Sequence, residues 1–466
     1  MALAEDDSGK YQQDPLSFIR RQHDYVDLPP PATLEEAGLS QSLIEELLLK
    51  GMYYLGRPTA QDLAQGLMMP FAILKQVLAG LKAENLCEVV GSQGFGEQLY
   101  EYILTDSGRG KVIEVLSRSQ YYGPAPVPYA HYLEMTLKQC REQPVIDRTT
   151  LLQGLEHLVV NERMIRALGP ALNSGEPILF HGPSGNGKTS LALALGNVLA
   201  GQDPIWIPHV IIVAGQLVKI FDPTVHVPIK IEPSEETSEL LPGLSLGNSY
   251  DRRWVLIKRP LVVGGGEITM DRFELTQEPA TNVYFAPHQW KANGGTLLID
   301  DLGRQSMRPQ DLLNRWIIPL EKHKDYLTLK TGQTLEVPLN ILIIFATNLH
   351  PNDLMDEAYL RRLRYRIPAP NPSAEQYRRI FRAVCGSVGL AYDPESVDYL
   401  FHTWYEGQGI DMRACHPRDL IAHIMDICRF ERIEPTLSPD LMDQAAELNF
   451  AGHLESKPRA GVLRED

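Results

Sequence analysis

The sequence predicts an α/β protein: a parallel β-sheet with helices on both faces, a small α+β domain ahead of it and a helical bundle behind. Three observations predict it. Between about residues 130 and 370, short apolar runs alternate with helical periodicity, the pattern of strands buried on both faces; they are Pro177–His181, His209–Val213, Thr296–Ile299 and Leu342–Ala346. The first run leads into a glycine-rich turn and then a helix. After Pro368-Ala369-Pro370-Asn371-Pro372 strand-like runs cease and helix-start signals take over: Ser373 with Gln376, Asp393-Pro394 and Ser438-Pro439.

The chain has 466 residues, too many for one ordinary core. Its 44% hydrophobic and 22% charged content is that of a globular protein, and a formal net charge of −15 argues against sequence-independent nucleic-acid binding. Five scattered cysteines (Cys87, Cys140, Cys385, Cys415, Cys428) have no Cys-x-x-Cys spacing and read as buried thiols in a reducing compartment. The polar, acidic N-terminus is no secretory signal, and no apolar run is long enough to cross a bilayer. The expectation is a cytoplasmic protein with no membrane partner.

Residues 1–32 read as a polar arm. Over 33–118, three helical patterns (Ser40–Lys50, from Pro58-Thr59, and from Pro70) precede two strand-like runs, Leu86–Val90 and Leu99–Leu104, joined by the turn Gly91–Gly96. Asp106 is expected to cap a last helix. Three helices and a hairpin resemble a winged-helix domain, with Tyr102–Arg109 similar to that family's wing-to-helix junction. A linker is expected over 119–144, because Tyr121–Pro128 cannot continue a helix. The parallel core then spans 145–370, with a β-rich insertion at about 214–290; the helical segment covers 371–450, and 451–466 is a polar tail.

Gly182-Pro183-Ser184-Gly185-Asn186-Gly187-Lys188-Thr189 fits G-x-x-x-x-G-K-[ST] at each fixed position, between a strand and a helix that begins at Ser190. Glycines let backbone N–H groups turn inward around phosphate oxygens, and the helix presents its positive end. Lys188 is expected to reach the β- and γ-phosphates of ATP and the Thr189 hydroxyl to ligate Mg2+. Gly294–Ile299 leads to Asp300 and Asp301, a buried strand ending in paired carboxylates. Asp300 suits the magnesium shell and Asp301 the attacking water, although aspartate is one methylene shorter than the more usual glutamate. The bland reading of such a pair is a solvated turn. Ile341–Thr347 is a second such strand and ends in Asn348, placed to contact the γ-phosphate. Arg361 and Arg362 follow in Asp356–Arg362, and Arg418 begins a helix in His416-Pro417-Arg418.

This ordered set resembles the AAA+ ATPases over about residues 145–450. The resemblance implies an αβα core with a helical lid and a ring, usually hexameric, with ATP at subunit boundaries. It also implies Arg361 or Arg362 as a finger on the neighbour's ATP and Arg418 as a lid sensor. Within that class the likeness is to the MoxR-like, helix-2-insert group, carried by a hairpin-like stretch, Tyr326–Val337, before the Asn348 strand and by the long insertion. Asp300-Asp301-Leu302-Gly303-Arg304 departs from that group's pattern. The same strand looks equally like enhancer-binding activators, whose Gly-Ala-Phe-Thr-Gly-Ala loop is absent here. Arg315 reads as a structural helix residue or a second trans arginine, and Asp222, His226 and His288 as loop and core residues.

Three functions follow: a remodelling ATPase acting on a protein partner, a DNA-associated switch using residues 33–118, or an ATP-binding scaffold with weak hydrolysis. Between Pro70 and Glu84 the third helix offers only Lys75 and Lys82, and the wing turn has no Lys or Arg. That favours protein docking over groove reading.

Overall fold

The computed structural model describes residues 28–141, 144–231, 250–354 and 357–456. The arm expected over 1–32 lies outside the described residues up to 27. So do residues 232–249 of the expected insertion, Asp356, and the expected tail from 457.

Near the N-terminus, Ser40 caps α1 (Gln41–Leu55), and Thr59 with Asp62 closes a reciprocal capping box on α2 (Ala60–Leu67). After α3 (Phe71–Ala83), β1 (Cys87–Ser92) pairs antiparallel with β2 (Tyr100–Leu104), Cys87 opposite Leu104. Helix α4 (Asp106–Arg118) follows. Its cap is Thr105, whose hydroxyl accepts from the Gly108 N–H; Asp106 is already the first helical residue, a correction of one position. Ile44, Leu47, Leu63, Leu74, Leu78 and Val112 pack into one core of their own.

Beyond this unit the described residues build two five-stranded sheets. The first is wholly parallel. It consists of β4 (Ile178–His181), β9 (Leu261–Gly264), β12 (Thr296–Ile299), β15 (Leu342–Thr347) and β16 (Tyr365–Pro368), in the order β16-β4-β15-β12-β9. Alternation sends Ile178, Phe180, Leu298 and Ile344 to one face. There they meet α6 (Arg148–Gly154), α7 (Glu162–Ser174) and α8 (Lys188–Ala200). Leu179, Leu297, Ile299 and Phe345 point the other way, to Trp290, Trp316 and helix α9 (Pro309–Lys322). After β16 comes the helical bundle: α10 (Ala374–Val388), α11 (Pro394–Leu400), α12 (His416–Glu431) and α13 (Pro439–Ser456), with Tyr377, Phe381, Leu420, Ile424 and Phe450 at its centre. The P-loop αβα core with a helical C-terminal region is therefore the fold of this chain.

The second sheet corrects the expected strand order. His209–Val213 reads as a core strand, yet β6 (Val210–Val213) belongs to the other sheet, and β9, expected inside the insertion, is the core strand beside β12. Both are four-residue apolar runs, so composition does not separate them; position in the fold does. The excursion from the core thus begins ahead of β9. Its sheet runs β10 (Thr276–Gln277), β11 (Tyr284–Phe285), β7 (Gln216–Lys219), β6 and β3 (Val127–Pro128); β3 and helix α5 (Tyr129–Arg141) after it lie in the stretch expected to be linker. Nearby, β5 (Ile205–Pro208) pairs antiparallel with β8 (Trp254–Ile257). The hairpin expected at Tyr326–Val337 is β13 (Lys324–Thr328) and β14 (Thr334–Pro338), with Gly332 at φ 84° in its turn.

Buried Arg253 ties the N-terminal unit to this second sheet. It is paired with buried Asp251 at 2.7 Å and donates to the Ala37 carbonyl at 2.9 Å and the Pro126 carbonyl at 3.4 Å. Arg315 is held likewise, by Asp325 at 2.7 Å and Glu274 at 2.8 Å, which joins α9 to the hairpin and favours its structural reading. Lys291 bonds Asp222 at 2.7 Å, and His226 bridges the Asp222 N–H and the Lys291 carbonyl. No metal-binding cluster occurs among the described residues.

Candidate functional site

Strand β4 delivers the glycine-rich turn to the carboxyl edge of the parallel sheet, and α8 carries it away. Gly182 (φ 139°), Gly185 (φ 83°) and Gly187 (φ 76°) all adopt the left-handed half of backbone space, which a side chain would strain. There is also no room: a Cβ on Gly182 would sit 2.5 Å from the Ala369 carbonyl oxygen, and one on Gly185 2.6 Å from Cys415 Sγ. The result is a loop of concave backbone at a helix N-terminus, the geometry that binds phosphate.

Lys188 is buried, and its ammonium donates to the carbonyls of Gly182 (2.9 Å) and Pro183 (2.8 Å) and to Asn348 Oδ1 (2.7 Å). Asn348 in turn donates through Nδ2 to Asp301 Oδ1 at 3.1 Å. The three side chains form one hydrogen-bonded chain from the turn, across β15, to the end of β12. Burial holds the Lys188 ammonium below its ordinary value; Asp300 and Asp301 oppose this, and Arg413 and Arg304 add to it. A cation partly withdrawn from water in this way is stabilised by a neighbouring anion.

The carboxylate end is rigidly framed. Asp301 sits at φ 49°, an unusual conformation for a residue other than glycine. Three contacts fix it: the Leu302 N–H donates to the Ala346 carbonyl at 2.8 Å, buried Thr347 donates to the Leu302 carbonyl at 2.7 Å, and Gln305 donates to the Asp300 carbonyl at 3.0 Å. The Asp301 N–H donates to Asp300 Oδ1 at 2.9 Å. Thr189, Ser190, Asp300, Asp301 and Asn348 line a single cavity of ≈ 590 Å³ with the turn itself, Arg418 and the apolar side chains Leu158, Val160, Met164 and Ile380. That volume lies within the ordinary range of small-molecule sites.

Among the expected arginines, Arg418 lines this cavity but its guanidinium lies against Asp419 at 3.3 Å, with no hydrogen bond to the turn. The arginine that does touch the turn is Arg413, which donates to the Ser184 carbonyl at 2.7 Å. Sequence reasoning missed it, since a single arginine in the irregular segment before α12 has no periodicity to mark it. Arg361 and Arg362 lie after the short helix Glu357–Leu360, outside the cavity lining. Arg361 is 75% exposed, in an i,i+4 pair with Glu357; Arg362 is 29% exposed and bonded to Glu321 of α9 at 2.5 Å.

Fold and site together define a P-loop αβα protein with a helical bundle closing over the loop. A family model described as a domain of unknown function (DUF8689) matches residues 373–448, the helical bundle. No curated protein matches the chain. Among solved structures, NtrX from Brucella abortus in complex with ADP is similar at 15% identity, over 77% of this chain and 69% of that one, with a TM-score of 0.38. The Holliday junction branch migration motor RuvB of Thermotoga maritima is similar at 12% identity, over 62% and 67%, with a TM-score of 0.34. Likenesses this distant carry no argument about what this chain does.

Proposed function

We propose that this protein binds MgATP between the phosphate loop and the helical bundle and hydrolyses it. The observation that carries the reading is the Lys188–Asn348–Asp301 chain within the cavity that also exposes Thr189 and Asp300. The backbone of residues 182–189 receives the phosphates, and Lys188 and Asn348 exchange their mutual bond for γ-phosphate oxygens. Asp301 then orients water. Thr189 and Asp300 fit magnesium: they are hard oxygen donors on the same cavity, leaving the remaining positions to phosphate and water. The apolar wall of Leu158, Val160, Met164 and Ile380 suits the base.

The exposure of Arg361 and the tethering of Arg362 to Glu321 favour Arg361 as the finger given to a neighbouring subunit's ATP. In this reading the active form is an AAA+ ring of MoxR-like type, the N-terminal unit is a winged-helix-like adaptor, and the work done is remodelling of a protein partner in the cytoplasm. Support for protein over DNA comes from α3 and its hairpin: Lys75 is paired with Glu97 at 2.5 Å, and the wing tip presents a fully exposed Phe95. Phosphate release measured for the wild type, Lys188→Ala and Asp300→Asn tests the ATPase reading. Turnover lost in both variants supports it, and turnover equal to wild type refutes it. Salt-sensitive gel shift of duplex DNA by the full chain would instead favour the DNA-associated switch.

A further inference from the structure

The outer side of the phosphate loop is stitched to the helical bundle, a feature that phosphate binding does not require. The Asn186 amide bonds outside the loop. Its Nδ2 donates to Asn371 Oδ1 at 2.8 Å and to the Ala369 carbonyl at 3.3 Å, both in the Pro-rich segment joining core to bundle. Its Oδ1 accepts from the Ala414 N–H at 3.2 Å. On either side, the Ser184 carbonyl accepts from Arg413 at 2.7 Å and the Gly185 carbonyl from the Cys415 N–H at 2.8 Å. Residues 184, 185 and 186 therefore each hold the segment 413–415 that leads into α12. Gly185 lets the contact close, since its missing Cβ is where Cys415 Sγ packs.

We propose that Asn186 and Arg413 form a latch that sets the bundle against the phosphate loop and thereby the residence time of bound nucleotide. This rests on the ATP site described above. Arg413 grips the Ser184 carbonyl and Asn186 the Ala414 N–H, so both act on the nucleotide through the loop they hold and are positioning residues. Arg418 of the bundle, by contrast, makes no hydrogen bond to the loop and lies against Asp419. With the latch closed, the bundle residues that line the cavity, among them Ile380 and Arg418, stand over the nucleotide. With it open, the cavity widens and the nucleotide leaves.

The test is the dissociation rate of a fluorescent ATP analogue, chased with excess ATP, from the full chain and from Arg413→Gln, Arg413→Lys and Asn371→Ala. Arg413→Gln replaces a half-buried surface side chain, and Asn371→Ala reaches the latch from its other end. Each is expected to release nucleotide about 5- to 10-fold faster, as the loss of one or two hydrogen bonds at the closure would give. Arg413→Lys keeps a donor for the Ser184 carbonyl and is expected to restore most of the residence time. A merely structural role would lower the melting temperature of the nucleotide-free variants and leave the dissociation rate alone. Wild type that binds the analogue, with Arg413→Gln and Asn371→Ala releasing it within twofold of the wild-type rate, overturns the latch while leaving the ATP site standing. Equal release from the Lys and Gln variants also overturns it, and wild type that binds no nucleotide overturns both.

Discussion

Replacing Asn348 with alanine isolates the middle of the chain that crosses the cavity. The amide accepts from Lys188 at 2.7 Å and donates to Asp301 at 3.1 Å, and both partners survive the substitution. In the resting protein the loss is small: a cavity of ≈ 590 Å³ admits water, which replaces both hydrogen bonds, so stability falls by about 1 kcal/mol or less. The transition state is different. There the amide is a fixed dipole on the phosphoryl group and its water, one residue past the fully buried strand β15 and held by Lys188 and Asp301. Removing one such donor costs about 3–4 kcal/mol, or roughly 10²- to 10³-fold in kcat. Nucleotide affinity rests mainly on the loop backbone and Lys188, so the Kd for ATP is expected to move by about threefold or less. Steady-state phosphate release at saturating ATP, beside an equilibrium titration with a fluorescent analogue, reads the two quantities apart. Hydrolysis within about threefold of wild type would refute the role given to Asn348, as would affinity lost in proportion to rate.

Two further perturbations separate roles that the fold assigns. Arg361→Ala is expected to lower hydrolysis by about 10³-fold in the assembled protein while leaving its thermal stability unchanged. Arg362→Ala instead frees Glu321 and is expected to lower the melting temperature by about 1 °C, a pattern differential scanning calorimetry beside phosphate release will show. Burial beside Lys219 pushes the His209 imidazole down to about 4, so the ring is neutral in the fold. An unfolded histidine takes up its proton near pH 6.5, so this contribution is complete above that pH and is lost as the pH falls from 6.5 toward 4. The loss amounts to about 2 kcal/mol by pH 5; urea midpoints from pH 7.5 to 5 should fall more steeply for wild type than for His209→Gln.

Local chemistry was legible and long-range pairing was not. The phosphate turn, the Asp300-Asp301 strand end and the strand reaching Asn348 each announce themselves within eight or nine residues, because a strand, a turn and a polar terminus are local. The hairpin at 324–338 was readable for the same reason. Core strand β9 was not, since Leu261–Gly264 and Val210–Val213 carry the same apolar signal and only the register Thr296 to Leu261 distinguishes them. Strand β3 was hidden in a proline-rich stretch; two residues are enough to pair with β6 but too few to show alternation. The roles of Asn186 and Arg413 depend on partners far along the chain, and no spacing rule encodes that contact.

The strand that feeds the phosphate loop has a consequence for how the molecule comes into being. In the finished sheet β4 lies between β15 and β16, both made long after it and the latter only at residues 365–368. During synthesis β4 therefore waits unpaired while residues 182–341 emerge. Its closure is a late, non-local event of the kind that folds slowly. A fragment ending before residue 365 would contain the full phosphate turn yet leave β4 as a bare apolar edge, open to pairing with other chains. Expression of the nucleotide site by itself is thus expected to give aggregate, and the sheet's last strand marks the shortest chain that escapes it.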